Sequence, residues 1–161
     1  MRKGLPVAAA LALTLTVASA EAQTERKPPY WASISASKAA MRTGPGRNYP
    51  MTWIFQRRDL PIKVVETYPN WRKVQDPDGA TGWMLQRLLS DERTALITGT
   101  EARPLHEAPQ EGSRIRYRAE PGVVGHLSKC ARGWCLFDVG GRQGYVRQDQ
   151  LWGVEPGETL D

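Results

Sequence analysis

The chain has 161 residues, with 22 lysines and arginines against 17 aspartates and glutamates and a formal charge of +5. That length holds one ordinary domain or two very small ones. No run of basic residues is interleaved with aromatics, so the excess positive charge describes a mildly basic, solvated surface and excludes a nucleic-acid partner.

The first element is an export signal. Arg2 and Lys3 precede the uncharged "LPVAAALALTLTVASA", and the small-x-small sites "ASA" (18–20) and "AEA" (20–22) follow. This is the layout of a secretory signal peptide over residues 1–22. The alternative, a membrane anchor, needs about 20 apolar residues and no cleavage site directly after them. No cysteine stands where a lipoprotein would carry its lipid, and no later segment is apolar for long enough to span a bilayer. The chain is therefore expected to be periplasmic or secreted, with no membrane insertion after cleavage. Removing residues 1–20 takes away Arg2 and Lys3 and no acid, which leaves 20 cations against 17 anions and a charge of +3. Residues 23–33, with "KPPYW" (27–31), read as an extended lead-in.

From there the chain repeats itself. "PNWRKVQDPDGATGWMLQRLLS" (69–90) aligns with "RGWCLFDVGGRQGYVRQDQLWG" (132–153), matching Trp71 to Trp134, Gly82-Trp83 to Gly144-Tyr145 and Leu89 to Leu151. Upstream, "MRTGP" (41–45) corresponds to "LHEAP" (105–109). The period is about 63 residues, so two copies of one unit are expected, over 34–92 and 98–155, joined by the link "DERTALITGT" (91–100). Within each copy the texture is short strands. "LPIKVVET" and "VVGHLSKC" are rich in β-branched residues, "WRKVQ" and "WCLFDV" come next, and glycine turns follow at "DPDGATG" and "GGRQG". Only "WMLQRLLSDER" is ambiguous between strand and helix. So many short strands in about 60 residues bury a core only by curling into a small barrel, which also hides the strand edges. The fold class expected is all-β, two small barrels in tandem.

Both copies resemble bacterial SH3-like (SH3b) domains. "MRTGPGRNYPM", "NWRKV" and "GWMLQRLL" carry the resemblance in the first copy, and "GWCLFDV" and "GYVRQDQLWG" in the second. A hydrophobic-Arg-x-Gly-Pro opening is typical of the family. "LHEAP" lacks its Arg and Gly, which puts any function of that loop in doubt for the second copy.

Both cysteines sit in "CARGWC" (130–135). With Arg132-Gly133 as a two-residue turn, Ala131 and Trp134 close it, and Cys130 and Cys135 are the next, non-hydrogen-bonded pair, with Cα atoms about 4.5 Å apart. That spacing permits a disulfide, and export favours one. Thr67 and Arg72 hold the matching places in the first copy, so the hairpin is specified without sulfur. His106 and His126 are the only histidines, too few to complete a zinc site. Even spacing places His126 and Cys130 on one strand face, about 13 Å apart at about 3.3 Å per residue, too far for a nucleophile and its base. No catalytic constellation, metal site or cofactor is expected.

Binding remains. The strand alternation turns Val74 and Phe137 inward and Trp71 and Trp134 outward. The resemblance implies that a tryptophan on this strand lines a ligand groove, although half-buried filler is an equal reading. Tyr49 and Trp53, with Arg42 and Arg47, would flank the groove in the first copy and give it an aromatic floor and a basic rim. Trp53, Trp83 and Tyr145 also read as core residues, and Trp152 as packing at the closing strand or between the copies. The family's eukaryotic relatives use a Pro and a Tyr in the turn after the "GY" strand. "LQRLL" (85–89) and "RQDQL" (147–151) have neither, so recognition of proline-rich ligands does not carry over. The expected role is a non-enzymatic module for cell-wall glycan-peptide or an envelope protein. The rival is a structural adaptor with no groove ligand.

Overall fold

The computed structural model describes residues 26–161, so the signal-peptide reading lies outside the described residues. The first sheet contains β1 (Tyr30–Ile34), β2 (Ala39–Arg42), β3 (Met51–Phe55), β4 (Pro61–Tyr68), β5 (Trp71–Gln75), β6 (Thr81–Leu85) and β7 (Leu89–Ser90). The second contains β8 (Thr94–Ile97), β9 (Arg103–His106), β10 (Ile115–Ala119), β11 (Val124–Ala131), β12 (Trp134–Val139), β13 (Arg142–Arg147) and β14 (Leu151–Trp152). Their orders, β3-β2-β6-β5-β4-β1-β7 and β10-β9-β13-β12-β11-β8-β14, are the same strand for strand. The ambiguous "QRL" segment and its counterpart "QDQ" are single 3-10 turns, Gln86–Leu88 and Gln148–Gln150. No described helix is long and apolar enough to cross a membrane.

Each sheet wraps its own core. Ile34, Ile62, Val64, Val74 and Met84 are fully buried in the first, and Ala95, Ile97, Phe137 and Val146 in the second. The curl depends on one device used twice. The pairing of β4 with β5 shifts between Val64 and Glu66, and that of β11 with β12 shifts between Leu127 and Lys129. The extra residue bends the strand and changes which face later side chains meet. This overturns the expectation that His126 and Cys130 share a face. Cys130 is fully buried, whereas the His126 side chain is 45% exposed and its Nδ1 lies 3.1 Å from Glu92 Oε1. The glycines of the "GW" and "GY" motifs allow a second close approach. A Cβ on Gly82 would lie 2.4 Å from Met41 Cγ, and one on Gly144 would lie 2.6 Å from Leu105 Cβ.

Two segments read as connections are strands. Tyr30–Ile34, mostly within the expected lead-in, pairs with both β4 and β7, and Thr94–Ile97, inside the expected link, pairs with β11 and β14. "YWASI" and "TALI" carry no turn signals, and their burial fills the gap between the longest strand and the shortest one. Only Asp91, Glu92 and Arg93 therefore separate the two sheets. The copies touch where Trp31 meets Trp152 edge-on at 4.9 Å. Lys63 lies over the Trp31 ring and pairs with Glu155 at 2.6 Å, and Leu96 and Val124 of the second copy pack on the first core.

The hairpin at "CARGWC" has the expected register, with Ala131 opposite Trp134 and Cys130 opposite Cys135, and the two cysteines are bridged at a Cα separation of 4.1 Å. Arg132 and Gly133 both take positive φ, 53° and 81°, which gives the primed turn that suits strand twist. The next hairpins are also built alike. Asp76 Oδ1 accepts from the Asp78 and Ala80 amides, and Asp138 Oδ1 accepts from the Gly141 amide while its Oδ2 accepts from Gln143 Nε2.

Replacing both cysteines by alanine is expected to leave the fold intact and cost about 2–4 kcal/mol in urea denaturation, toward the low end because the loop is short. The Gln143 amide, then the Gly141 amide, hold Asp138 below its ordinary value of 3.8. The stabilisation is complete above about 3.8 and is lost as pH falls through the lower folded value. The stability difference between wild type and Asp138→Asn should accordingly shrink on acidification in pH-dependent urea melts.

Candidate functional site

The β2–β3 loop is shaped from within. Arg42, paired across the sheet with Trp83, donates from Nη1 to the Tyr49 carbonyl at 2.7 Å, and the Thr43 amide donates to the Pro50 carbonyl at 3.1 Å. The Tyr49 ring lies over Gly44, where a Cβ would come within 2.4 Å of it. The Arg-x-Gly pattern thus fixes the loop and presents the Tyr49 ring outward, 44% exposed. Arg42 holds backbone here, a different task from the charged rim expected of it.

After the loop, β3 forms one end of the sheet and leaves Met51, Trp53 and Ile54 exposed at 55%, 61% and 47%. Trp53 is therefore not core: among the described residues no strand lies beyond β3. Its ring meets Phe55 at 6.5 Å. With Tyr49 in the loop before it, the hairpin thus exposes four large apolar side chains within six residues, a concentration of the kind that marks a contact site. It borders a cleft of about 870 Å³ between the two copies. Trp53, Ile54, Phe55, Leu60 and Pro77 line the cleft from the first copy, and Leu96 and Gly122 line it from the second. Arg57 closes one side by donating to the Gly122 carbonyl at 2.8 Å.

The other expected groove residues lie elsewhere. Trp71 is 7% exposed and Arg72, next to it on the opposite face, is 4% exposed, so the start of β5 is covered on both sides. Trp71 is absent from the cleft lining. Trp134 is half-buried on β12 and packs edge-on against His106 at 5.4 Å. Arg47 is an exposed loop residue. Trp83 is buried and Tyr145 half-buried, while Trp152 contacts the first copy through Trp31. The structure thus brings Arg42, Tyr49 and Trp53 to one hairpin and leaves Trp71 and Trp134 out of it.

The second copy reproduces the hairpin with different chemistry. His106 stands in the place of Arg42, opposite Tyr145, and its Nδ1–H donates to the Ser113 carbonyl at 3.0 Å. The Glu107 amide donates to the Arg114 carbonyl at 2.8 Å, as Thr43 does to Pro50. Ile115 and Tyr117 on β10 are each 42% exposed, at the positions of Met51 and Trp53. "LHEAP" therefore lacks the motif but keeps the loop. Met51 and Ile54 in "MTWIF", and Ile115 and Tyr117 alternating with arginine in "IRYRA", carry strand texture, but nothing local marks these strands as the ends of their sheets.

Charged groups also pair on the surface of this second hairpin. Arg116 hydrogen-bonds Glu107 at 2.8 Å, which holds the Glu107 carboxyl below its ordinary range. Among the described residues no group of three or more His, Cys, Asp or Glu is placed to hold a metal ion.

A family model for the bacterial SH3 domain matches residues 35–91 and 100–153. Among curated proteins none matches. Solved structures similar to the chain include a NlpC/P60 family protein from Bacillus cereus, at 16% identity and a TM-score of 0.34, covering 76% of this chain and 55% of that one. NlpC2 and NlpC1 from Trichomonas vaginalis are similar at 10% identity and a TM-score of 0.36 each, covering 80% and 81% of this chain and 49% and 48% of theirs. The chain thus spans about half the length of these structures. It belongs to the bacterial SH3 domain family, with two copies in tandem.

Proposed function

We propose that this bacterial SH3 protein is an exported, non-enzymatic binding module, and that its first copy grips cell-wall glycan-peptide or an envelope protein. The observation that carries the reading is the solvent-facing apolar surface of Tyr49, Met51, Trp53 and Ile54 beside the cleft between the copies. Flat aromatic rings suit the apolar faces of sugars, and each has a polar handle that tolerates water at the rim. The outer edge of β3 also offers backbone groups to an extended peptide, the strand-addition mode of recognition. A glycan strand carrying short peptides presents both partners at once. The export pattern at the start of the chain supports a periplasmic or secreted site of action.

One observation favours the structural-adaptor reading. The copies already pack against each other through Trp31, Trp152, Lys63 and Glu155, a fixed arrangement suited to spacing partners. Trp53 distinguishes the two. As an exposed residue it can be replaced at little cost to folding. Retention of the purified protein on insoluble peptidoglycan should fall at least tenfold in Trp53→Ala, with an unchanged melting curve. Equal retention of wild type and variant rejects the surface and leaves the adaptor.

A further inference from the structure

The cleft between the copies carries a charged group that the barrel does not require. Asp76 follows β5, lines the cleft and is 8% exposed. Its Oδ1 caps the turn, accepting from the Asp78 amide at 3.1 Å and the Ala80 amide at 2.8 Å. Its Oδ2 has no hydrogen-bond partner among the described residues, and it is not sealed from solvent. A carboxylate oxygen so nearly buried and left bare is costly unless something fills the space beside it. Asp78, in the same lining, is exposed and makes no ion pair among the described residues. Arg57 is the one cation of the lining, and its Nη2 is turned to the Gly122 carbonyl. The rest is largely apolar, with Trp53, Phe55 and Leu60.

The second copy folds without this acid. Register aligns Val74–Gly82 with Phe137–Gly144, and Gln75–Thr81 with Asp138–Gln143. The next position holds Asp76, whose amide donates to the Ala80 carbonyl at 3.0 Å, in the first copy. In the second copy it holds Val139 opposite Arg142. The corresponding hollow of the second copy, about 280 Å³, is lined by Leu105, Tyr117, Val139 and Arg142 among others. A valine and a guanidinium thus stand where the cleft has a carboxylate and a methyl group. The second turn is capped from one position earlier, by Asp138, whose outer oxygen is taken by Gln143. Capping therefore explains Oδ1 of Asp76 but not a carboxylate at this place in the cleft.

We infer that this acidic wall selects a primary ammonium group. The inference rests on the cell-wall reading, within which the ligand is the side-chain amine of the diamino acid in the peptide arms. An ammonium ion has three donors, enough for Asp76 Oδ2 and Asp78 together, and its aliphatic stem suits the apolar lining. That amine is free only where no crosslink uses it, so loosely crosslinked wall is the preferred form. The test compares retention of the purified protein on insoluble peptidoglycan before and after N-acetylation of its amines. Wild-type retention should fall about tenfold on the acetylated wall, the size of one charge-assisted contact. Net charge works the other way, because acetylation makes the wall more anionic and the chain is cationic. Asp76→Asn keeps an acceptor for the turn and should bind both forms alike, at the weaker level. Asp78→Asn, at an exposed site, should narrow the difference with an unchanged melting curve. Equal wild-type retention on both forms overturns the inference and leaves the Trp53 surface standing. A tenfold loss that persists in both variants also overturns it, since the amine is then read elsewhere. Absence of retention on either form removes the cell-wall reading and this inference with it.

Discussion

A sheet of very short strands encloses a core only if its longest strand bends, and here that bend is a single unpaired residue. Val65 in β4 and Ser128 in β11 each stand opposite nothing on the neighbouring strand. Ahead of the bend the strand lies against β1 or β8, and after it the strand runs out into the hairpin at "YPNW" or "CARGWC". Without the bend Leu127 and Cys130, three positions apart on β11, could not both reach the interior, because a straight strand keeps strict alternation. Everything at the surface follows from that curl. The sheet must end somewhere, and β3 and β10, at its ends, each leave large apolar side chains uncovered.

The duplicated frame separates what the fold requires from what is free to vary. Both copies keep the small residue at Gly82 and Gly144, an aspartate that caps the next turn, although Asp138 stands one register position earlier than Asp76, and a side chain that ties the β2–β3 type of loop to its own carbonyl. Arginine performs the last task in one copy and histidine in the other. The requirement is thus a donor of suitable reach and not a particular charge. The surface beyond these fixed points differs. An exposed tryptophan in one copy answers to a tyrosine in the other, and in the second copy Leu160 pairs back onto Cys130.

Most of the architecture was legible because it rests on local signals. The repeat, the hairpin turns, the cysteine pairing and the inward Val74 and Phe137 all follow from turn chemistry and alternation. The misread parts are those that local signals do not carry. Tyr30–Ile34 and Thr94–Ile97 are strands only because a distant strand has an open edge. Trp71 and Trp53 exchanged roles for a similar reason. Alternation gives the face of a residue on its strand, but not whether that face is later covered, and only the sheet order decides that β5 is central and β3 terminal. The bulges shift the parity of everything after them, which is why His126 and Cys130 part company.

The segment from Val154 to Leu160 has one more effect. Both sulfur-bearing residues are wholly shielded from solvent, and the returning backbone covers the outer edge of Cys130, with Gln148 held against Cys135. Exchange with an incoming thiolate requires access to one of the two sulfur atoms. The lifetime of the bond in a reducing medium then depends on how often residues 154–160 lift away. Deleting that segment would turn a protected crosslink into a vulnerable one.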